Sequence, residues 1–353
     1  MTSDLSSPST SRPEVDAALL LLTKLGLSPA DLVAGADAAR PAVPTFAEFV
    51  PQVAAAVTAG TLKTYSSYWN RVIEHWGTRR LDEPTPLEIE RLGKQLRAGR
   101  VIRRNGRSGA STEENYVAAM RCLYRRAIAN GLLTDADNPA AKVAKPRRQA
   151  STRRALPEDR LAEIHRVAAS TGDDPALDTL LLRLHTETAC RRGGALALRR
   201  VDLDRHQCLI RLREKGGTQR WQPVSPTLMG HLLAHWGERG DGNSAGTGPL
   251  LRYRSGRPIT YRRYDGLWKR LGEHLPWVAT QGISAHWLRH TIITWVERNF
   301  GYAVARAFAG HTDAAGDGST ATYIKADLAE VAEAVATLTG EPHPLACDSS
   351  IHD

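Results

Sequence analysis

Four separate strings in the second half of the chain hold side chains suited to phosphate chemistry. Arg191 stands in Thr188-Ala189-Cys190-Arg191-Arg192-Gly193-Gly194, a polar turn inside an apolar helical run. A guanidinium there can donate two parallel hydrogen bonds to phosphate oxygens, which a lysine point charge cannot. Lys215 stands in Glu214-Lys215-Gly216-Gly217-Thr218-Gln219-Arg220, and a lysine at such a tip could enter a DNA groove and reach a scissile phosphate. His286 and Arg289 in His286-Trp287-Leu288-Arg289-His290 are three residues apart, so a helix puts a proton carrier and an anion binder on one face. His311 follows Gly310, and twelve residues later comes Tyr323, a potential oxygen nucleophile. Each string alone also has an ordinary structural reading: a surface arginine, an exposed hairpin lysine, a core histidine or tyrosine. A zinc reading of His286 and His290 is the weaker one, because Trp287 occupies the position where a zinc peptidase helix carries its glutamate. No metal ion and no cofactor is implied.

The elements that must position these residues are mostly helical. Residues up to about 13 are rich in Ser, Thr and Pro and read as disordered, and Glu14 to Leu25 can form a short helix. From Phe46 to Ala141 one helical pattern follows another. Phe46, Val50, Val53 and Val57 share a face that Pro51 should kink or delay, while Tyr65, Trp69, Val72 and Trp76 share the next. Leu87 to Leu96 and Tyr116 to Ala129 supply two more helices. A basic linker follows, then helices over 157–170 and 175–188. Alternation at Cys208 to Leu212 and Arg220 to Val224 around Gly216-Gly217 is a hairpin signature. Helices return over 261–275, 285–299, 303–309 and 326–338. The fold class is thus mostly α with a small antiparallel β-sheet. The domain reading is an N-terminal segment (1–44), a helical domain (45–141), a basic linker (142–155), a second, mixed α+β domain (156–340) and a tail (341–353).

Composition narrows the function. With 353 residues, 42% hydrophobic and 24% charged, the chain has the make-up of a globular protein of about two domains. No apolar run approaches the roughly 20 residues of a membrane span, and the first residues lack the basic flank of a secretory signal. Four cysteines without C-x-x-C spacing fit a reducing compartment, so the expected location is the cytoplasm, on the nucleoid. The formal net charge of +9 is concentrated: residues 61–160 carry 21 basic and 11 acidic side chains, whereas residues 1–60 carry 3 and 6. Two blocks have no acid at all, one with Arg97, Arg100, Arg103, Arg104 and Arg107, the other with Lys142, Lys145, Arg147 and Arg148. Such blocks point to a polyanion, and these nine residues are the candidate DNA contacts.

Order and spacing then count for more than any one string. Arg191, Lys215, His286, Arg289, His311 and Tyr323 resemble the catalytic set of the tyrosine recombinases, the family of lambda-type integrases and Xer recombinases. The strings are similar to that family's T-G-L-R-x-x-E-L-x-x-L, K-G-x-K-x-R-x-x-P, H-x-L-R-H and L-G-H followed by the nucleophilic tyrosine. The resemblance implies an all-helical, SAM-like core-binding domain over 45–141 and the recombinase catalytic domain over 156–340. It implies double-stranded DNA as substrate, a 3′-phosphotyrosine intermediate formed by Tyr323 without a metal, a homotetramer on DNA, and an accessory directionality factor. An integrase of a mobile element is the leading reading. The rivals are a type IB topoisomerase and a DNA-binding regulator on a decayed scaffold. Two departures stand out: Gly194 replaces the acidic residue three positions after the first arginine, leaving Glu187 as a substitute support, and the His311–Tyr323 stretch is a few residues longer than the family's common pattern. The acidic first 60 residues argue against a basic arm-site module. The apolar stripe Leu328, Val331, Val335 and Leu338 can pack on its own domain or dock on a neighbouring subunit.

Overall fold

The computed structural model describes residues 12–31, 42–99, 110–146, 153–213, 217–240, 242, 245–311 and 327–346. The chain divides into two compact units, Met1–Gln149 and Ala150–Asp353. In the first, α1 (Arg12–Lys24) leaves Leu19, Leu20 and Leu21 exposed. A capping box starts α2 (Phe46–Ala56): Thr45 accepts from the Glu48 amide, and Glu48 accepts from the Thr45 amide at 2.8 Å. With its first-turn donors satisfied and Phe46, Phe49, Val50 and Val53 buried, the helix begins ahead of Pro51 instead of after it. Helices α3 (Ala59–Trp76), α4 (Pro86–Ala98), α5 (Ala110–Ala129) and α6 (Pro139–Lys142) close around the same core. Helix α5 begins at Ala110, earlier than the pattern from Tyr116 shows. The aromatic rings belong to this core: the Trp69 indole donates to Ala119 O at 3.2 Å, and the Tyr124 hydroxyl to Leu81 O at 2.8 Å. Both bonds satisfy the one polar atom of a buried ring.

The second unit is built around α8 (Pro175–Thr188), which follows α7 (Glu158–Ser170) and is buried on several faces. A short helix α9 (Arg192–Leu196) leads to an antiparallel sheet in the order β1 (Leu203–Asp204), β2 (Leu209–Arg213), β3 (Gln219–Pro223). In the β2–β3 register Leu212 faces Arg220 and Ile210 faces Gln222. Helix α10 (Pro226–Arg239), capped by Ser225, is an element the sequence pattern did not reveal. Helices α11 (Tyr261–His274), α12 (Pro276–Gln281) and α13 (Ala285–Ala309) follow, the last interrupted where Gly301 adopts φ 83°. Arg263 clamps α11 to α8 through Asp178 Oδ1 at 2.8 Å, Asp173 Oδ1 at 2.8 Å and Asp174 O at 3.1 Å. Helix α14 (Leu328–Thr339) buries Val331, Ala334 and Val335 against Ile292, Val296 and Phe308 of α13, so its stripe packs on its own domain. The chain stays on this unit past α14: Glu341 pairs with Arg183 at 2.7 Å, and the His343 ring lies 3.3 Å from Cys208 O.

Candidate active site

Helix α8 ends in a sharp turn that delivers Arg191. Ala189 takes the left-handed conformation (φ 46°) and Arg191 is extended, at the N-cap of α9. The Thr188 hydroxyl donates to Leu184 O at 2.5 Å and accepts from the Cys190 amide at 3.2 Å, closing the turn from within. From across the unit, Arg220 Nη2 donates to Thr188 O at 3.2 Å. Arg289 Nη1 donates to Ala189 O. A left-handed residue with a Cβ costs about 1–2 kcal/mol, and these outside bonds offset it. Glu187, read as a support in place of the missing acid at Gly194, holds two other groups. Its Oε1 accepts from Arg183 Nε at 2.6 Å and its Oε2 from the Ser225 amide at 2.9 Å. On a helix, residues four apart are neighbours, so Arg183 takes the carboxylate first.

Arg289 is buried (4% exposed) on α13, and its Nη2 donates to Ala309 O at 2.6 Å and lies 3.4 Å from His311 Nε2. Gly310 (φ 62°) ends the helix and turns His311 back, its amide donating to Arg306 O at 3.0 Å. One turn before Arg289, His286 is solvent-exposed on its outer side; partial desolvation of its ring, and then the positive charge of Arg153, Arg289, His290 and Arg191 around it, hold it below the usual histidine value. That direction favours the neutral imidazole, the form able to accept a proton. The segment carrying Arg153 is tied to α13 where the Leu156 amide donates to Thr291 Oγ1 at 3.0 Å. Arg153 was visible in the sequence as part of the basic linker, without a signal linking it to His286. Arg220 was visible as the arginine of the hairpin string, and its bond to Thr188 O gives it a place in the turn.

The structure thus gathers Arg191, His286, Arg289 and His311 around one end of α13 and the α8–α9 turn. Such a group can hold an anion and move a proton beside it. Lys215 and Tyr323 lie outside the described residues. What the hairpin's base shows is its anchoring: buried Asp202 accepts from Arg211 Nε at 3.0 Å, from Arg211 Nη2 at 2.9 Å and from Arg213 Nη2 at 2.5 Å, bracing the end of β2 just before residue 214. No group of three or more metal-ligating side chains is found among the described residues. Of the candidate DNA contacts, Arg97 lies 3.4 Å from Glu113 and Lys145 3.5 Å from Glu114, while Lys142 ends α6. Arg100, Arg103, Arg104, Arg107, Arg147 and Arg148 fall outside the described residues. Among the described residues no helix is long and apolar enough to cross a membrane.

Comparison with known proteins shows the family of the chain. The model of the Phage integrase family matches residues 154–329. Tyrosine recombinase XerC of Xanthomonas campestris pv. campestris (strain B100) is 28% identical over 306 residues, covering 85% of this chain and 88% of the relative. XerC of Chromobacterium violaceum is also 28% identical, over 56% of this chain and 64% of its own length. Among solved structures, a lambda integrase tetramer bound to a Holliday junction superposes with a TM-score of 0.58 at 15% identity, over 92% of this chain and 89% of that one. The Tn1549 transposon integrase in complex with a circular intermediate DNA gives 0.59 at 15%, over 76% and 92%. At these identities the structural likeness speaks for the fold, and the sequence matches for descent. The protein belongs to the phage integrase family, the tyrosine recombinases, which cut and rejoin DNA.

Proposed function

We propose that the protein is a site-specific recombinase acting through a covalent 3′-phosphotyrosine, and that it serves as the integrase of a mobile element. The observation that carries the reading is the meeting of Arg191, Arg289, His286 and His311 at the α8–α9 turn and α13. A phosphodiester is shielded by its negative oxygens, so attack needs cations on the non-bridging positions to hold the developing pentacovalent charge. Arg191 and Arg289 fill that role, with His311 donating to a non-bridging oxygen. Tyr323 attacks phosphorus while His286 takes its proton; the P–O5′ bond breaks as Lys215 protonates the leaving oxygen. Reversal with a new 5′ hydroxyl rejoins the strand without an external energy source. The basic residues of 45–141 and the 142–155 linker track the backbone of duplex DNA. The Holliday-junction tetramer of lambda integrase supports assembly as a tetramer, and the Tn1549 transposon integrase supports the mobile-element reading. An accessory factor that sets direction belongs to the same proposal.

Arg191→Ala tests the reading. Cleavage should fall by about 100- to 1,000-fold, the usual loss on removing one donor to a developing oxyanion, while the gel-shift affinity for DNA stays within a few-fold. Equal loss of both would make Arg191 a structural residue.

A further inference from the structure

The peptide that leads into Arg191 is held by a buried polar pair. Three successive carbonyls in the turn each face a different side chain: Thr188 O meets Arg220, Ala189 O meets Arg289, and Cys190 O lies 3.0 Å from His185 Nδ1. The His185 contact is on the carbonyl bonded directly to the Arg191 nitrogen. His185 sits in the last turn of α8 and is 1% exposed, and its Nε2 lies 2.9 Å from the hydroxyl of Tyr264 on α11, also 1% exposed. The two rings meet edge to face, with centroids 5.3 Å apart. One tautomer satisfies both contacts. A carbonyl can only accept, so Nδ1 carries the proton and donates to Cys190 O, while Nε2 accepts from Tyr264.

Burial of this pair is costly by itself. Tyr264 packs in a cluster with Leu177, Leu184 and Leu250, where two apolar side chains would fill the space without desolvating a hydroxyl and an imidazole. What the polar pair adds is direction: it fixes the Cys190–Arg191 peptide plane. We propose that His185, backed by Tyr264, is a positioning residue for strand cleavage, holding the Cys190–Arg191 peptide so that the Arg191 guanidinium meets the scissile phosphate. The proposal rests on the recombinase reading and adds to it a relay outside the six motif residues. Arg220 and Arg289 hold the turn itself; His185 holds its exit.

The test compares full-length wild type with His185→Leu, His185→Asn and Tyr264→Phe on the nicked duplex that wild type cleaves. Single-turnover adduct formation, DNA affinity and melting temperature are read for each. His185→Leu should slow adduct formation at saturating DNA by about 10- to 100-fold, the scale of a misplacement near 1 Å, with the dissociation constant for DNA within twofold of wild type. Tyr264→Phe should slow it by a smaller factor. His185→Asn, whose amide nitrogen can take the Nδ1 position, should recover most of the rate. Wild-type rates in His185→Leu, or a loss that vanishes when the assay is cooled below the variant's melting range, would overturn the proposal. Should His185→Leu not fold, Tyr264→Phe carries the test, since it removes a single oxygen. If wild type forms no adduct on any duplex, the recombinase reading fails separately. Titration of the free protein with orthovanadate then decides: weaker binding in Tyr264→Phe and His185→Leu supports the positioning role, and equal binding refutes it.

Discussion

Gly310 offers a quantitative check on how the second unit is assembled, because its missing side chain makes room for another motif. It sits at φ 62°, and a Cβ placed there would lie 2.5 Å from Arg220 Cδ and closer still to Nε. Arg220 cannot simply swing aside, since Nη2 is bonded to Thr188 O at 3.2 Å and Nη1 to Gln222 Oε1. Gly310→Ala therefore meets two separable costs. The left-handed backbone costs a Cβ-bearing residue about 1–2 kcal/mol, and overpacking against the pinned arginine adds about 1–3 kcal/mol. The expected destabilisation is about 2–5 kcal/mol. In an Arg220→Ala background only the backbone term survives, so the two substitutions should couple by about 1–3 kcal/mol. Urea unfolding of the four proteins in the cycle, followed by tryptophan fluorescence and circular dichroism, measures the coupling. Additivity within about 0.5 kcal/mol would refute the packing of Arg220 against the Gly310 turn. The same variant should cleave DNA more slowly, since a displaced Arg220 loosens its bond to Thr188 O.

Two further outcomes follow from buried charges in the same unit. Arg263→Met strands the Asp178 carboxylate with Arg270 as its remaining partner, so stability should fall by about 3 kcal/mol, the low end for breaking a buried pair, and Asp178→Leu in the same protein should restore much of it; denaturant unfolding of the single and double variants checks this. His235 is pushed down to about 4 by burial, with the Arg239 charge adding, and its Nε2 accepts from the Arg252 amide at 3.1 Å. The unfolded chain binds that proton more readily between about pH 6.5 and 4, so the stabilisation is full above 6.5 and is lost as pH falls towards 4. That is worth about 3 kcal/mol. His235→Gln keeps an acceptor without titrating, so the stability gap between wild type and variant should close or reverse in this window; a gap independent of pH would contradict it.

What could be read from the sequence was what short range dictates. The turn before Arg191, the Arg220 hairpin and the His286–Arg289 face each lie within one string, so residue type and spacing were enough. The links between strings were not legible. The Arg289 bond to Ala189 O spans 100 residues, and periodicity reports which face of a helix is buried without saying what it meets. Glu187 shows the same limit in reverse: it is close to Arg191 in sequence, yet its carboxylate serves Arg183 and Ser225. Helix α10 went unread because Gly230 and Gly237 interrupt its apolar pattern, although Ser225 followed by Pro226 was a readable start signal. Strand β1 spans only two residues, too few for alternation to show. His185 and Tyr264 gave no sign at all, since a lone histidine and a lone tyrosine on the inner faces of helices look like core residues until their 2.9 Å contact is seen.

The central claim is covalent catalysis by Tyr323, and it is tested most directly on nicked duplexes tiled across the DNA flanking the gene. Wild type and Tyr323→Phe are incubated with each duplex in EDTA and resolved on a denaturing gel. The account predicts a protein–DNA adduct with wild type at one duplex, resistant to denaturation, attached through a 3′ phosphate and absent with Tyr323→Phe. An adduct that persists in Tyr323→Phe would assign the nucleophile elsewhere, and DNA that is bound and shifted without an adduct on any duplex would contradict the recombinase mechanism itself.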